Sequence, residues 1–397
     1  MHDQITPISV RGRYLWRNEE RFIIKGVVYQ NNYVRALKTA KGREERQNDD
    51  KAAPLSDPIA DDQLEVLSCS IPLLQELGVN TLLVYSIDNT KSHDVAMDML
   101  AKAGIYVIAG LSTPQKSVNR AAPLGSYTPD LVQHYFATVD RMAAYPNTLG
   151  VVAANEVLLH AGHTAGADVI RALVRDVKRY MALHAKANPE SWQRVLPVGV
   201  SSNGVSSIFY DEFRYFTGGD PEEAVDFFSV QSFENAHVPL FFSEYGTTSG
   251  ETSPRQFLET TAIYSPAMTR IFSGACAYEF FEGPNRYGLV VVRAGGTLER
   301  LRAYENLKAR LAECSQSEGE GEGEGLATLA EWGDNGELVE SHRPALPPQS
   351  YDWRASAALP ECPLDWEEVR TQIEDRQWID VAEEVERSVI SNDGELL

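Results

Sequence analysis

Short apolar, β-branched runs alternate with longer amphipathic stretches from residue 22 to about residue 312. The runs at 22–29, 80–87, 105–111, 148–154, 196–201, 226–233, 239–243 and 274–281 predict eight strands. Stretches near 63–77, 92–103, 129–144, 166–186, 207–216, 254–268 and 299–312 predict helices between and after them. The strand runs are continuously apolar rather than alternating, which indicates burial on both faces, as in a parallel sheet. Eight such strands with intervening helices predict a (β/α)8 barrel occupying residues 1–312. An open doubly wound sheet is the rival, but G-V-V-Y-Q-N-N after the first strand is not the glycine fingerprint of its dinucleotide-binding form.

The pattern breaks at S-E-G-E-G-E-G-E-G, residues 317–325, where charge and glycine rule out a packed core. An acidic linker is expected over 313–330 and a partly disordered acidic tail over 331–397, with one amphipathic helix at 364–390 that docks on the barrel or on a partner. A charged insertion at 32–60 follows the first strand, and in a barrel it would lie on the catalytic face.

Charge sharpens this division. Of the net −21, residues 313–397 hold −17, from 22 acids against five arginines, and the body is left near neutral. Neither part has the clustered Lys/Arg that nucleic acid rewards. No run is long enough to span a bilayer, and the ends show neither a secretory leader nor a lipid-anchor signal. The four cysteines, Cys69, Cys276, Cys314 and Cys362, lack metal-ligand spacing, and no N-x-Ser/Thr acceptor occurs. Cys69 and Cys276 sit in apolar runs and read as small core residues without a disulfide in the barrel. No metal or cofactor is called for.

Catalytic groups of a barrel stand at the C-terminal ends of its strands. The fourth strand ends in Asn155-Glu156 and the seventh in Ser243-Glu244-Tyr245-Gly246. A carboxylate closing a buried strand is costly to desolvate without a partner or a task. Two such carboxylates across one barrel mouth meet the requirement for glycoside cleavage, and a separation of about 5–5.5 Å gives retention of configuration. Asn155 is placed to bind a sugar hydroxyl; Tyr29, Tyr85 and Tyr245 at or near strand ends and Tyr278 within the eighth strand either offer rings on which pyranose faces stack or are core residues.

These residues and their neighbours resemble the family 72 glycoside hydrolases, fungal β-1,3-glucanosyltransferases that remodel cell-wall glucan. The matching pieces include F-I-I-K-G-V-V-Y-Q (22–30), V-Y-S-I-D-N-T-K-S-H-D (84–94), A-G-I-Y-V-I-A-G-L-S-T-P (103–114), G-V-V-A-A-N-E-V (150–157) and F-F-S-E-Y-G (241–246). The resemblance covers residues from about 5 to 310, with a faint echo in Y-D-W-R-A-S-A-A-L-P (351–360). It implies Glu156 as acid/base, Glu244 as nucleophile, Gln30, Tyr85 and Asn155 as sugar-binding positions, β-1,3-glucan as substrate, and a lipid-anchored cell-surface setting. The absent leader and anchor signals leave a cytoplasmic or processed chain as the other expectation.

The chain departs from the family at several positions. Leu83 stands where the family has an arginine that keeps the nucleophile ionised, Gly110 replaces an aspartate and Phe233 a tyrosine. Leu67, Ala96 and Gly218 stand at the positions of family cysteines. Three functions stay open on this reading: a glucanosyltransferase, a β-glucan hydrolase of the same barrel clan, and an impaired descendant that binds glucan or a protein partner through its acidic tail.

Overall fold

A computed structural model describes residues 5–30, 57–188, 193–230, 237–247, 254–293, 296–317 and 343–375. The chain opens with an antiparallel meander, β1 (Ile8–Arg11), β2 (Tyr14–Arg17) and β3 (Glu20–Arg21), joined tightly at Gly12, whose φ of 57° suits a residue without Cβ. These strands are too short and mixed to show in the apolar pattern.

Eight parallel strands follow and close on themselves: β4 (Ile24–Val28), β5 (Thr81–Val84), β6 (Tyr106–Gly110), β7 (Thr148–Asn155), β8 (Val198–Ser201), β9 (Phe227–Val230), β10 (Leu240–Tyr245) and β11 (Phe272–Ala277). They are the eight predicted strands in order. Every neighbouring pair is parallel, and β11 pairs with β4 to shut the barrel. An antiparallel pair, β12 (Val290–Val292) and β13 (Leu298–Arg300), lies after it. That pair takes the beginning of the helix expected at 299–312, which starts instead at Arg302.

Alternation along the strands sorts the core into two layers. Ile24, Val28, Leu83, Ile108, Leu149, Phe227, Phe241 and Cys276 point into the barrel, while Val27, Leu82, Val107, Val198, Phe228 and Phe242 point out to the helices. Phe227 crosses the interior against Gly199, where an added Cβ would stand 2.1 Å from its ring. Ile8, Leu15 and Phe22 of the meander join the inner layer at the N-terminal end. There Tyr106 donates its hydroxyl to Thr6 O at 2.6 Å, so the meander plugs the floor and leaves the opposite end for chemistry.

The helices Leu64–Glu76, Asp94–Lys102, Pro129–Ala143, Ala167–Ala187 and Phe209–Thr217 occupy their predicted places. The stretch expected as one helix at 254–268 forms two short ones, Glu259–Ile263 and Pro266–Thr269. Ser265 caps the second, and Pro266, lacking an N–H, fits the first position of a helix but cannot continue one.

The boundary expected at 313 is corrected. The helix Arg302–Ser317 runs through it, and Cys314 is buried. Residues 343–375 are not a loose tail but a strap on the barrel's outer face. Trp353 is fully buried with its ring 5.3 Å from that of Tyr215. Tyr215 donates its hydroxyl to Ser356 O at 2.5 Å, and Gly219 donates its N–H to Pro344 O at 3.1 Å. At Gly218 an added Cβ would stand 2.3 Å from Pro344 O, so the strap fills the room a family cysteine would need. Of the helix expected at 364–390, Trp366–Asp375 is formed and packs against the helix Ala167–Ala187. Its remainder, the residues 318–342 and most of the insertion at 32–60 lie outside the described residues. Cys69, expected in the core, is exposed on the outer side of its helix, while Cys276 is buried, and all four cysteines are free thiols.

Candidate active site

Both sequence-predicted glutamates stand on the C-terminal rim. β7 ends at Asn155, and Glu156 follows in the left-handed region with φ 50°. That conformation is costly for a residue with a Cβ and persists only where its surroundings hold it. Here the Glu156 N–H donates to Ser201 O at 2.9 Å, and Arg120 Nη2 donates to the Glu156 carbonyl at 2.9 Å. The side chain is held as well, because Asn203 Nδ2 donates to Glu156 Oε2 at 3.1 Å.

In β10, Phe241 points in and Phe242 out, so plain alternation would send Tyr245 inward. The pairing with β11 shifts register between Phe242 and Tyr245. The shift sends Tyr245 outward, where its ring packs edge-on against Phe257 at 6.1 Å, and leaves Glu244 facing the barrel axis. Tyr245 is therefore corrected from sugar platform to core residue. The same holds for Tyr29, which is fully buried and donates its hydroxyl to Ser70 at 2.9 Å in the helical layer.

Tyr85 lies inward at the end of β5 and donates its hydroxyl to Glu244 Oε1. The Tyr85 N–H donates to Gln30 Oε1 at 3.1 Å, and Gln30 is fully buried, so Gln30 fixes the backbone that carries this tyrosine. Tyr278 follows β11 on the rim, half-buried, with its hydroxyl accepting from Asn285 Nδ2 at 3.2 Å. Asn155 lines a cavity of about 740 Å³ beside the rim, together with Ser112, Gln115, Arg120 and His163. The structure thus brings Glu156, Glu244, Tyr85, Asn155 and Tyr278 to one end of the barrel.

Burial pushes the Glu244 carboxyl up to about 7; the Tyr85 hydroxyl opposes the rise, and the charges of Glu156 and Glu279 add to it. No cation appears among these influences. Leu83, at the arginine position, is 2% exposed and belongs to the apolar layer inside the barrel. Burial also raises Glu156, while the Asn203 hydrogen bond and the Arg120 charge restrain it. The charge of Glu156 thus reaches Glu244, though burial is the larger cause of its rise.

Several rim residues escaped the sequence reading. Asn203 stands two residues past β8 and Glu279 two past β11, so the same strand-end rule would have found both. Arg120 and Arg255 lie in loops, where apolar periodicity carries no signal. Arg255 is 4% exposed and donates to the carbonyls of Gly246, Tyr278 and Tyr287, pinning the loops that follow β10 and β11. Phe233, read as a departure at the family's tyrosine, lies outside the described residues.

Residues 1–234 and 229–315 match the family model described as Glucanosyltransferase, glycoside hydrolase family 72. The chain belongs to this family. The 1,3-beta-glucanosyltransferase gel1 of Aspergillus fumigatus is 33% identical over 79% of this chain and 67% of its own. The 1,3-beta-glucanosyltransferase GAS5 of Saccharomyces cerevisiae is 34% identical over 90% of this chain and 70% of its own. Among solved structures, Saccharomyces cerevisiae Gas2p in complex with laminaritriose and laminaritetraose superposes with a TM-score of 0.72 at 29% identity, covering 91% of this chain and 78% of that one. Membership makes the chain a glycosidase-type enzyme on a (β/α)8 scaffold, and the rim is where such an enzyme works. No helix among the described residues is long and apolar enough to cross a membrane.

Proposed function

We propose that the protein is a retaining β-1,3-glucanosyltransferase in which Glu156 is the acid/base and Glu244 the nucleophile. The observation that carries this reading is the pair of rim carboxyls, Glu156 just after β7 and Glu244 on β10, separately supported by Asn203 and Tyr85, with the charge of Glu156 felt at Glu244. Glu244 attacks the anomeric carbon of a seated β-1,3-glucan as Glu156 gives its proton to the departing glycosidic oxygen. The result is a glucosyl ester on Glu244 and a free chain that keeps the original reducing end and gains a 3-hydroxyl at a new non-reducing end. Glu156, now ionised, takes the proton from the 3-hydroxyl of a second chain; that oxygen attacks the anomeric carbon, the bond from that carbon to Glu244 breaks, and Glu244 leaves as carboxylate. A carboxyl separation of about 5–5.5 Å is part of this proposal.

Asn155, which precedes the acid/base in the chain, is assigned to a sugar hydroxyl, and Tyr278 to the sugar face or its hydroxyls; of these groups Asn155 lines the cavity beside the rim and the two glutamates do not. Gln30 acts on substrate through Tyr85. The substrate places the enzyme at the cell surface or wall. For the acidic C-terminal stretch the proposal is a basic protein surface as partner, resting on its net charge alone.

The test is incubation of the purified protein with a reduced laminari-oligosaccharide of one length and mass spectrometry of the products. Products longer than the substrate are expected. Shorter products alone would make the enzyme a hydrolase, and unchanged substrate would leave a glucan-binding descendant.

A further inference from the structure

The helix Phe209–Thr217 carries an acid on the face that packs against the barrel. Glu212 is 2% exposed and shares that face with Phe209, Phe213 and Phe216. An apolar side chain would pack there without the cost of burying a carboxyl. Burial pushes Glu212 up to about 8, the Ser202 hydroxyl opposing and the Glu156 charge adding, so near neutrality it is an uncharged acid.

The single described hydrogen bond of its side chain gives it a task. Ser202 Oγ donates to Glu212 Oε2 at 2.7 Å and accepts the Gly204 N–H at 3.0 Å. The Ser202 N–H donates to Ser229 O at 2.9 Å, which fixes the start of the same turn on β9. Asn203 sits between these anchors, and its amide reaches Glu156 Oε2 at 3.1 Å. A continuous path of hydrogen bonds and one tight turn, with Gly204 at φ 72°, therefore joins the buried acid to the rim carboxyl.

We propose that Glu212 is a positioning residue for Glu156: through Ser202 it fixes the turn that delivers the Asn203 amide to the acid/base carboxyl. The inference rests on the role given to Glu156 above. Among the described residues, Glu156 is the charged group that faces Glu212, and Ser202 is its polar neighbour.

The experiment is the titration of Glu156, followed by carboxyl ¹³C NMR, in the wild type and in Glu212→Leu, Glu212→Gln, Ser202→Ala and Asn203→Ala. Asn203→Ala should raise the Glu156 midpoint by roughly one pH unit, the value of a hydrogen bond to a charged group. Glu212→Leu and Ser202→Ala should each raise it in the same direction. Glu212→Gln, which keeps an acceptor for Ser202 and is neutral like the buried acid, should hold the wild-type midpoint. The double variant Glu212→Leu/Asn203→Ala should be no further shifted than Asn203→Ala alone.

In the transfer assay kcat should fall roughly tenfold for Glu212→Leu with KM unchanged, because orientation and not sugar binding is lost. An unmoved Glu156 midpoint in both Glu212→Leu and Ser202→Ala, or additive shifts in the double variant, would overturn the proposal. Ser202→Ala keeps the test intact if Glu212→Leu does not fold. The titration needs no turnover, so a protein that transfers no glucan would refute the functional reading while Glu212 is still judged by NMR.

Discussion

Removing one hydroxyl tests how this site manages without the arginine that the family places at position 83. Tyr85 donates to Glu244 Oε1, and it is the one hydrogen bond opposing the burial that pushes the nucleophile up to about 7. Tyr85→Phe keeps the ring and deletes the donor. A hydrogen bond to a charged group is worth about 1.5–3 kcal/mol, so its loss should raise the Glu244 midpoint by roughly one to two pH units. The nucleophile works as the anion, and the acidic limb of kcat/KM against pH reports its ionisation in the free enzyme. In the wild type that limb should fall near 7, and in Tyr85→Phe it should move upward, with a loss of about ten- to a hundredfold in kcat/KM at pH 6 that shrinks at higher pH. Laminari-oligosaccharide transfer measured from pH 4 to 9 reads both. A limb that stays in place, with activity scaled equally at every pH, would show that Tyr85 does not support the ionised Glu244.

Two further outcomes bear on stability. Glu244 has a folded midpoint of about 7 against an ordinary value of 4.5. Its favourable contribution is therefore complete below 4.5 and is lost as pH rises through 7. Glu244→Gln should accordingly be more stable than the wild type by about 2–3 kcal/mol at pH 8 and equal to it at pH 4, by urea unfolding; equal stability at both pH values would contradict the raised midpoint. Trp353→Ala should cost about 3–5 kcal/mol, because the fully buried indole anchors the strap, and a loss below about 1 kcal/mol would mean the strap is not part of the folded unit.

The barrel was legible because burial on both faces leaves unbroken apolar runs, and all eight runs became barrel strands. The meander β1–β3 and the pair β12–β13 were not, since strands of two to four residues with mixed faces give no period to detect. At the site, the rule that working groups cluster just past the C-terminal ends of barrel strands pointed to Glu156 and Glu244, and both stand on that rim. It failed at Tyr245 because a register shift, invisible in the residue types, exchanges the faces of adjacent side chains. Asn203 and Glu279 obey that same rule, whereas Arg120, Arg255 and Glu212 act from loops or from a helix face and are joined to the rim only by the fold. The strap was mostly masked by composition: the acidic, proline-bearing stretch reads as tail, and only the faint family echo at 351–360 marks the segment whose Trp353 is buried against Tyr215.

The division of labour between the two rim carboxyls is tested most directly by trapping. A 2-deoxy-2-fluoro laminari-oligosaccharide with an activated leaving group slows breakdown of the glucosyl ester more than its formation. Incubation with the purified protein, digestion and tandem mass spectrometry should place one sugar adduct on the peptide containing Glu244, and none on it in Glu244→Gln. An adduct on Glu156 or Glu279 would contradict the assignment, and release of the leaving group with inverted sugar and no adduct would contradict the retaining mechanism itself.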